Sequence, residues 1–197
     1  AEKFFDMKCR LSGLTPSAAV VVATVRALKA HSGRHSIKPG KPLPPELLAE
    51  NPDEVATGGA NLRKHLENLK KFGITPVVAI NAFPTDHPSE HAIIAEIAAE
   101  SGARSAVATH VVDGGAGAVD LARVVEEVAN EPNDFKFLYP LEDTIEKKIE
   151  TIATELYGAT GVDFSPAAAA QAKKYAALGY GNLPIVIAKT HLSLTSD

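Results

Sequence analysis

The sequence predicts an α/β fold: a mostly parallel sheet with helices on both faces. Three observations carry this. Short runs rich in β-branched residues recur as AAVVVATV (18–25), TPVVAIN (75–81), RSAVATHVV (104–112) and LPIVIAKT (183–190). None alternates apolar with polar residues, the pattern of strands covered on both faces. Helical patterns lie between them, so parallel neighbours joined by right-handed crossovers are expected.

Each element has its own justification. The strand at 18–25 runs into RALKAHSG, where Arg26, Lys29 and His31 follow the apolar stretch. Residues 34–57 are expected to form a Pro-rich surface loop, because five prolines within 36–55 preclude a long regular element. Residues 58–73 place Leu62, Leu66 and Leu69 on one helical face and stop at Gly73. The strand 75–81 comes next. The helix at 89–103 is expected to start at Ser89 as N-cap and stop at Gly102. After the strand at 104–112, a helix is read over 117–130. Asp143 or Thr144 caps a helix over 144–158, and Ser165 followed by Pro166 opens another over 165–181. There is no internal repeat.

Composition narrows the function. The 197 residues carry a net charge of -4 and 45% hydrophobic residues. An acidic balance, with a pI near 6.0, argues against nonspecific nucleic-acid binding. No apolar run approaches the ~20 residues of a membrane helix. A single cysteine, Cys9, excludes an internal disulfide and fits a reducing, cytoplasmic compartment. The start at Ala1-Glu2-Lys3 and the end at HLSLTSD read as cuts, so residues 1–197 are expected to be a fragment of the catalytic α/β region of a larger protein.

Ligands of open parallel sheets bind at the carboxyl ends of strands. After the first strand, Arg26, Lys29 and His31 either reach a phosphate or carboxylate or simply end the strand in water. After the second, Asn81 can pair with a purine edge and Phe83-Pro84 form an apolar knuckle ahead of Thr85 and Asp86. A guanine-reading loop is one comparison, but Asp86 stands five positions after Asn81, which breaks that spacing. The alternative is a Pro-containing turn with Phe83 in the core. After the third strand, Gly114, Gly115 and Gly117 precede a helix, where N–H groups can face an anion or serve backbone geometry alone. There is no G-x-x-x-x-G-K-S/T, no H-E-x-x-H and no G-x-S-x-G. The seven histidines make no metal pair, and His87 and His91 read as solvated.

Taken together, these stretches resemble the formate–tetrahydrofolate ligases. VVATVRALKAHSG resembles the signature V-A-T-I/V-R-A-L-K-x-H-G-G, departing at Ser32. AEKFFDMKCRLSGL, NLRKHLENLKKFGITPVVAINAFPTD, IEKKIETIATELYGATGV and LGYGNLPIVIAKTHLSLTSD resemble four further blocks of that family in order. The resemblance implies a P-loop-NTPase-like layer and an ATP-dependent reaction through formyl phosphate. It implies nucleotide contacts at Asn81 and Val107 and folate contacts at Phe83, Pro84 and Val111. Thr85, Asp86, Gly114, Gly115 and Gly117 remain loop candidates, and Arg26 and Lys29 remain catalytic candidates. No resident metal is expected beyond Mg2+ with ATP and a monovalent cation. Formate, ATP and tetrahydrofolate are the implied small-molecule partners, with neither nucleic acid nor membrane, in a homo-oligomeric enzyme of one-carbon metabolism.

Two departures matter. Members often carry W-A-K-G-G where this chain has VVDGG, so Val111 replaces a stacking Trp and Asp113 a Lys. The family's phosphate-binding loop is not among these residues, so no ligase turnover is expected from this chain alone. A non-catalytic folate- or nucleotide-binding homologue and a GTPase-like P-loop protein remain as alternatives.

Overall fold

The computed structural model describes residues 1–35, 37 and 40–188. A π-helical run, Lys3–Cys9, passes directly into α1 (Arg10–Ser12). Strand β1 (Ala19–Ala23) leads into α2 (Val25–His31), followed by the short helices α3 (Pro45–Leu48) and α4 (Pro52–Thr57). Helix α5 (Ala60–Lys71), β2 (Pro76–Asn81), α6 (Pro88–Glu100) and β3 (Arg104–Ala108) continue the alternation. Then come α7 (His110–Asp113), a 3-10 turn Gly114–Ala118 and α8 (Val119–Ala129). Helices α9 (Ile145–Tyr157) and α10 (Pro166–Tyr175), with a π-helical turn Ala176–Tyr180, complete the described elements. Two compact units result: Pro16–Asp134, and Ala1–Thr15 with Phe135–Asp197.

The first unit is α/β. Its sheet has the order β1-β2-β3 and both pairs are parallel, with Val21 beside Val78 and Ile80 beside Val107. Ala23, Val25, Leu28, Val55, Leu62, Leu66, Val78, Ile80, Ile94 and Ile97 form one buried cluster, with Val21 packed against it. Helices α5 and α6 pack on the sheet, and α8 packs on β2 and β3. Alternation turns Val77 and Ala79 away from the cluster, and they too are buried. Val20 and Val22 also turn away from it, yet they are 45% and 65% exposed. The apolar run predicts a strand covered on both faces; at β1 one face stays open, because α8 lies over β2 and β3.

Residues 34–57 differ from the expected loop. The prolines enter as helix starters: Pro45 and Pro52 sit in the first turns of α3 and α4. Those helices bury Leu47, Glu54 and Val55, and among the described residues of 34–57 no long regular element forms. Helix α6 opens two residues before Ser89, at His87, with Pro88 in its first turn. Its Glu90 carboxylate accepts the His87 N–H at 3.1 Å.

The second unit is helical in its described residues. Thr144 caps α9 by accepting the Lys147 N–H, and Ser165 caps α10 by accepting the Ala168 N–H. The expected helix over 165–181 breaks into α10 and the π-helical turn, where Gly179 takes φ 88°. The expected strand at 183–190 is not a strand over residues 183–188; 189–197, His191 included, lie outside the described residues. Side chains take up its backbone instead. The Tyr139 hydroxyl donates to the Ile185 carbonyl at 2.7 Å and lies 2.8 Å from the Ile185 nitrogen as its acceptor. Glu2 accepts the Ile187 N–H. Arg10 is seated over Phe137 and Tyr139 and donates to the Tyr139 carbonyl. Among the described residues no helix is long and apolar enough to cross a membrane.

Candidate functional site

The carboxyl ends of β1 and β2 lie side by side, Ala23 opposite Ile80. The segments that leave these two strands meet there. After β1 the chain turns directly into a helix: the Thr24 side chain accepts the Ala27 N–H and starts α2. The buried stripe of α2 is Val25, Leu28 and Lys29, the i, i+3, i+4 face of a packed helix. Arg26 stands one position off that stripe and stays half-buried.

That geometry separates the two cationic candidates. The Arg26 guanidinium lies over the Phe83 ring, 3.8 Å from its centroid. Its Nη2 donates to the Thr85 Oγ1 at 3.3 Å. Lys29, expected to be able to reach an anion, is instead fully buried. Its ammonium is paired with Glu90 and donates to the Leu47 and Ala49 carbonyls. Helical phase carries Lys29 inward, and a compensating carboxylate makes that burial tolerable. Burial alone would raise the Glu90 carboxyl, but the Lys29 ammonium and the Asn51 and His87 N–H groups outweigh it and hold it below the ordinary glutamate value. His31, exposed, lies 3.0 Å from Asn61 through its Nδ1.

The loop after β2 is a tight turn that presents Phe83. The Phe83 N–H donates to the Asp86 Oδ2 at 2.9 Å, and the Asp86 N–H donates to the Phe83 carbonyl at 2.9 Å. His91 Nε2 sits 3.3 Å from the same carboxylate oxygen, with only 16% of its side chain exposed. The sequence reading of His91 as solvated is therefore corrected: α6 begins at Pro88, early enough to carry His91 back onto Asp86. Phe83 stays half-buried, Pro84 and Thr85 are exposed, and the Ala82 N–H extends the ladder to the Ala108 carbonyl. Asn81 ends β2 beside Ala108, its Oδ1 buried and without a hydrogen-bond partner. Val107, on β3 next to Ile80, is 42% exposed.

The segment that follows β3 is largely explained by backbone geometry. Gly114 takes φ 58°, where L side chains are strained. A Cβ on Gly117 would stand 2.5 Å from the Thr109 hydroxyl and 2.7 Å from the Thr109 carbonyl carbon. Only glycine permits that approach, which the Thr109 N–H to Gly117 carbonyl bond closes. Gly115 is exposed with open space around it. Val111 is 57% exposed on α7, and Asp113 accepts the Thr109 hydroxyl at 2.7 Å. The contacts above join Arg26, Phe83, Thr85 and Asp86; none of them involves Val111, Gly114 or Gly115.

Ser32, the departure from the signature, donates its hydroxyl to the buried Glu54 at 2.9 Å. The sequence reading missed two positioning contacts, His91 to Asp86 and Glu90 to Lys29. The capping-box interval marks Glu90 only for the His87 N–H, once the helix start at His87 is known, and nothing local marks Lys29 as its partner.

What this arrangement offers a ligand is an aromatic ring clamped by a cation, an amide at the neighbouring strand end, and exposed apolar side chains on the third strand and its following helix. Comparison with known proteins agrees with a single family. The profile of formate–tetrahydrofolate ligases matches residues 1–197. The formate–tetrahydrofolate ligase of Saccharopolyspora erythraea is 60% identical over 197 residues, which is all of this chain and 35% of that protein. The ligase of Cutibacterium acnes is 54% identical over the same span and share. That of Chloroflexus aurantiacus is 56% identical over 200 residues, again 35% of its length. The chain thus spans about 35% of the length of the curated relatives it matches. With a match that runs from its first residue to its last, the chain belongs to the formate–tetrahydrofolate ligase family.

Proposed function

We propose that this chain supplies the pterin-stacking side, and part of the nucleotide side, of an ATP-dependent formate–tetrahydrofolate ligase. A formate oxygen attacks the γ-phosphorus of ATP and ADP leaves, giving formyl phosphate. The N10 amine of tetrahydrofolate attacks the formyl carbon, phosphate leaves and the N10 proton is lost, giving 10-formyltetrahydrofolate. In this reading Phe83 and Pro84 offer the stacking surface for the flat pterin, with Val111 as an apolar wall that cannot stack. Asn81 and Val107 meet the nucleotide; the unpartnered Asn81 Oδ1 suits a donor on a purine edge. Mg2+ enters with the phosphates of ATP; among the described residues no group of three or more His, Cys, Asp or Glu side chains stands ready to hold a metal. A monovalent cation, a homo-oligomeric assembly and a cytoplasmic setting complete the proposal.

The observation that carries the reading is the Arg26–Phe83–Thr85 contact, which keeps an aromatic ring half-exposed at the carboxyl ends of β1 and β2. Lys29 is left out of the chemistry because its charge is spent inside. No cradle of the G-x-x-x-x-G-K-S/T kind occurs in these residues, so the purified chain is expected to show no ligase turnover. Calorimetric titration of the chain with tetrahydrofolate, ATP and GTP tests the binding. Saturable heat with tetrahydrofolate, lost about 10-fold or more in Phe83→Leu, is expected from the loss of a stacked ring. Silence towards all three ligands would favour a non-catalytic homologue, and guanine preference would favour a GTPase-like protein.

A further inference from the structure

We infer that Arg26 is a positioning residue that makes Phe83 selective for the electron-rich, reduced form of a pterin. The inference rests on the folate reading of Phe83 above and adds a basis for choosing between oxidation states.

A phenyl ring has two faces, and the guanidinium 3.8 Å from the Phe83 centroid covers one of them. A flat ligand is left the other. The backbone that carries the ring is held on both sides of the turn by Asp86, N–H to Oδ2 and carbonyl to N–H, and the ring itself is covered by the guanidinium. The guanidinium is also fixed, by its bond to the Thr85 hydroxyl on the same loop. Loop and helix are therefore joined through Arg26 at two points.

The charge matters as well as the plane. None of the ion pairs among the described residues takes Arg26, and its Nε is buried without a hydrogen-bond partner. An unneutralised cation on one face draws the π density of the ring towards itself. The opposite face becomes less negative. Stacking there is improved for an electron-rich partner and gains little for an electron-poor one. Tetrahydropterin is electron-rich; the fully oxidised pterin of folic acid is not. Both molecules carry the same aminobenzoyl-glutamate tail, so a comparison between them isolates the ring.

The test is calorimetric titration of the chain with tetrahydrofolate and with folic acid, for the parent, Arg26→Met, Arg26→Lys and Thr85→Val. Loss of a cation–π contact of ordinary strength predicts a tetrahydrofolate affinity about 5- to 10-fold lower in Arg26→Met. The folic acid affinity should move by no more than about 2-fold, so the ratio between the two collapses. Arg26→Lys keeps a charge over the ring and should restore most of the ratio. Thr85→Val, which releases the guanidinium without removing it, should lower the ratio in the same direction and covers the case in which Arg26→Met fails to fold. Equal losses for both ligands, without rescue by Lys, would reduce Arg26 to simple packing and overturn the inference, as would no change at all. A parent chain that binds neither ligand would instead remove the folate reading itself.

Discussion

Among the described residues two lysines are fully buried, one in each unit, and they are compensated in opposite ways. Lys29, in the sheet unit, meets the Glu90 carboxylate as well as the Leu47 and Ala49 carbonyls. Lys148, on α9, donates to the Gly181 carbonyl at 2.6 Å and the Leu183 carbonyl at 3.3 Å. Carbonyl dipoles solvate an ammonium without neutralising it. Burial therefore pulls the Lys148 ammonium below its ordinary value, helped by Arg10 and opposed by Asp143 and Glu142. In the sheet unit, a helix start beside a packed helix supplies a full counter-charge. In the other unit the chain wraps its own backbone around the cation. The first arrangement binds two helices together; the second ties α9 to the segment at 181–183.

The largest effect should come from breaking the compensated pair. Lys29→Met leaves Glu90 buried without its cation, and such a loss costs about 3–5 kcal/mol. Urea unfolding followed by circular dichroism measures it. Adding Glu90→Gln to Lys29→Met should recover much of the cost, since the orphaned charge is then gone. A single variant within about 1 kcal/mol of the parent would show that the pair does not organise the helix layer. The pH dependence comes from the same group. Glu90 is held low in the fold, so its contribution is present above the ordinary glutamate value and is lost as the pH falls through the folded value. The Lys29→Met variant should lose that acid-side slope.

A smaller effect is expected in the other unit, where backbone groups are met by side chains. Tyr139 is 2% exposed and its hydroxyl serves both the carbonyl and the N–H of Ile185. Tyr139→Phe keeps the packing and removes both bonds, for a cost of about 1–3 kcal/mol by the same unfolding measurement. A negligible change would mean that water replaces the hydroxyl, and that this unit depends less on fixed partners than the sheet unit does.

What the sequence made legible divides along the same line. The run PVVAIN could be read as β2, because Val77, Val78 and Ile80 in a short apolar stretch between Gly73 and a Pro-containing turn leave few choices. Ser165 was legible as a cap because a hydroxyl before a helical pattern has one strong use, whereas Asp143 and Thr144 stayed alternatives until the structure gave the cap to Thr144. LPIVIAKT looked the same, yet residues 183–188 do not pair as a strand. Composition favours an extended backbone; a neighbouring strand decides whether it joins a sheet, and here Tyr139 and Glu2 take the backbone groups. Lys29 was misread because a cation after an apolar run suggests water, whereas its partner Glu90 lies 61 positions on and is invisible to any local window. The Arg26–Phe83 contact was likewise out of reach of spacing: 57 positions separate the two, and only the adjacency of β1 and β2 brings them together. The family resemblance pointed to Phe83; it did not indicate what covers the ring.

The smallest effect should come from removing the uncompensated cation, and it sharpens the comparison most. Lys148→Met relieves the burial of a charge and abandons two carbonyl acceptors. These changes oppose each other and should leave stability at neutral pH within about 1 kcal/mol of the parent, unlike Lys29→Met. The pH profile carries the distinguishing sign. A lysine whose folded value is depressed binds fewer protons in the native state than in the unfolded chain between that value and about 10.4. In that window its contribution to stability must rise with pH, and below it the full penalty of charging the buried amine applies. The Lys148 contribution therefore grows as the pH rises from its folded value towards about 10.4, so the stability of the parent relative to Lys148→Met should increase over that window. An equally steep profile in the variant would assign the slope to another group, and a loss of several kcal/mol at neutral pH would mean that carbonyls alone can hold a buried ammonium as well as Glu90 does.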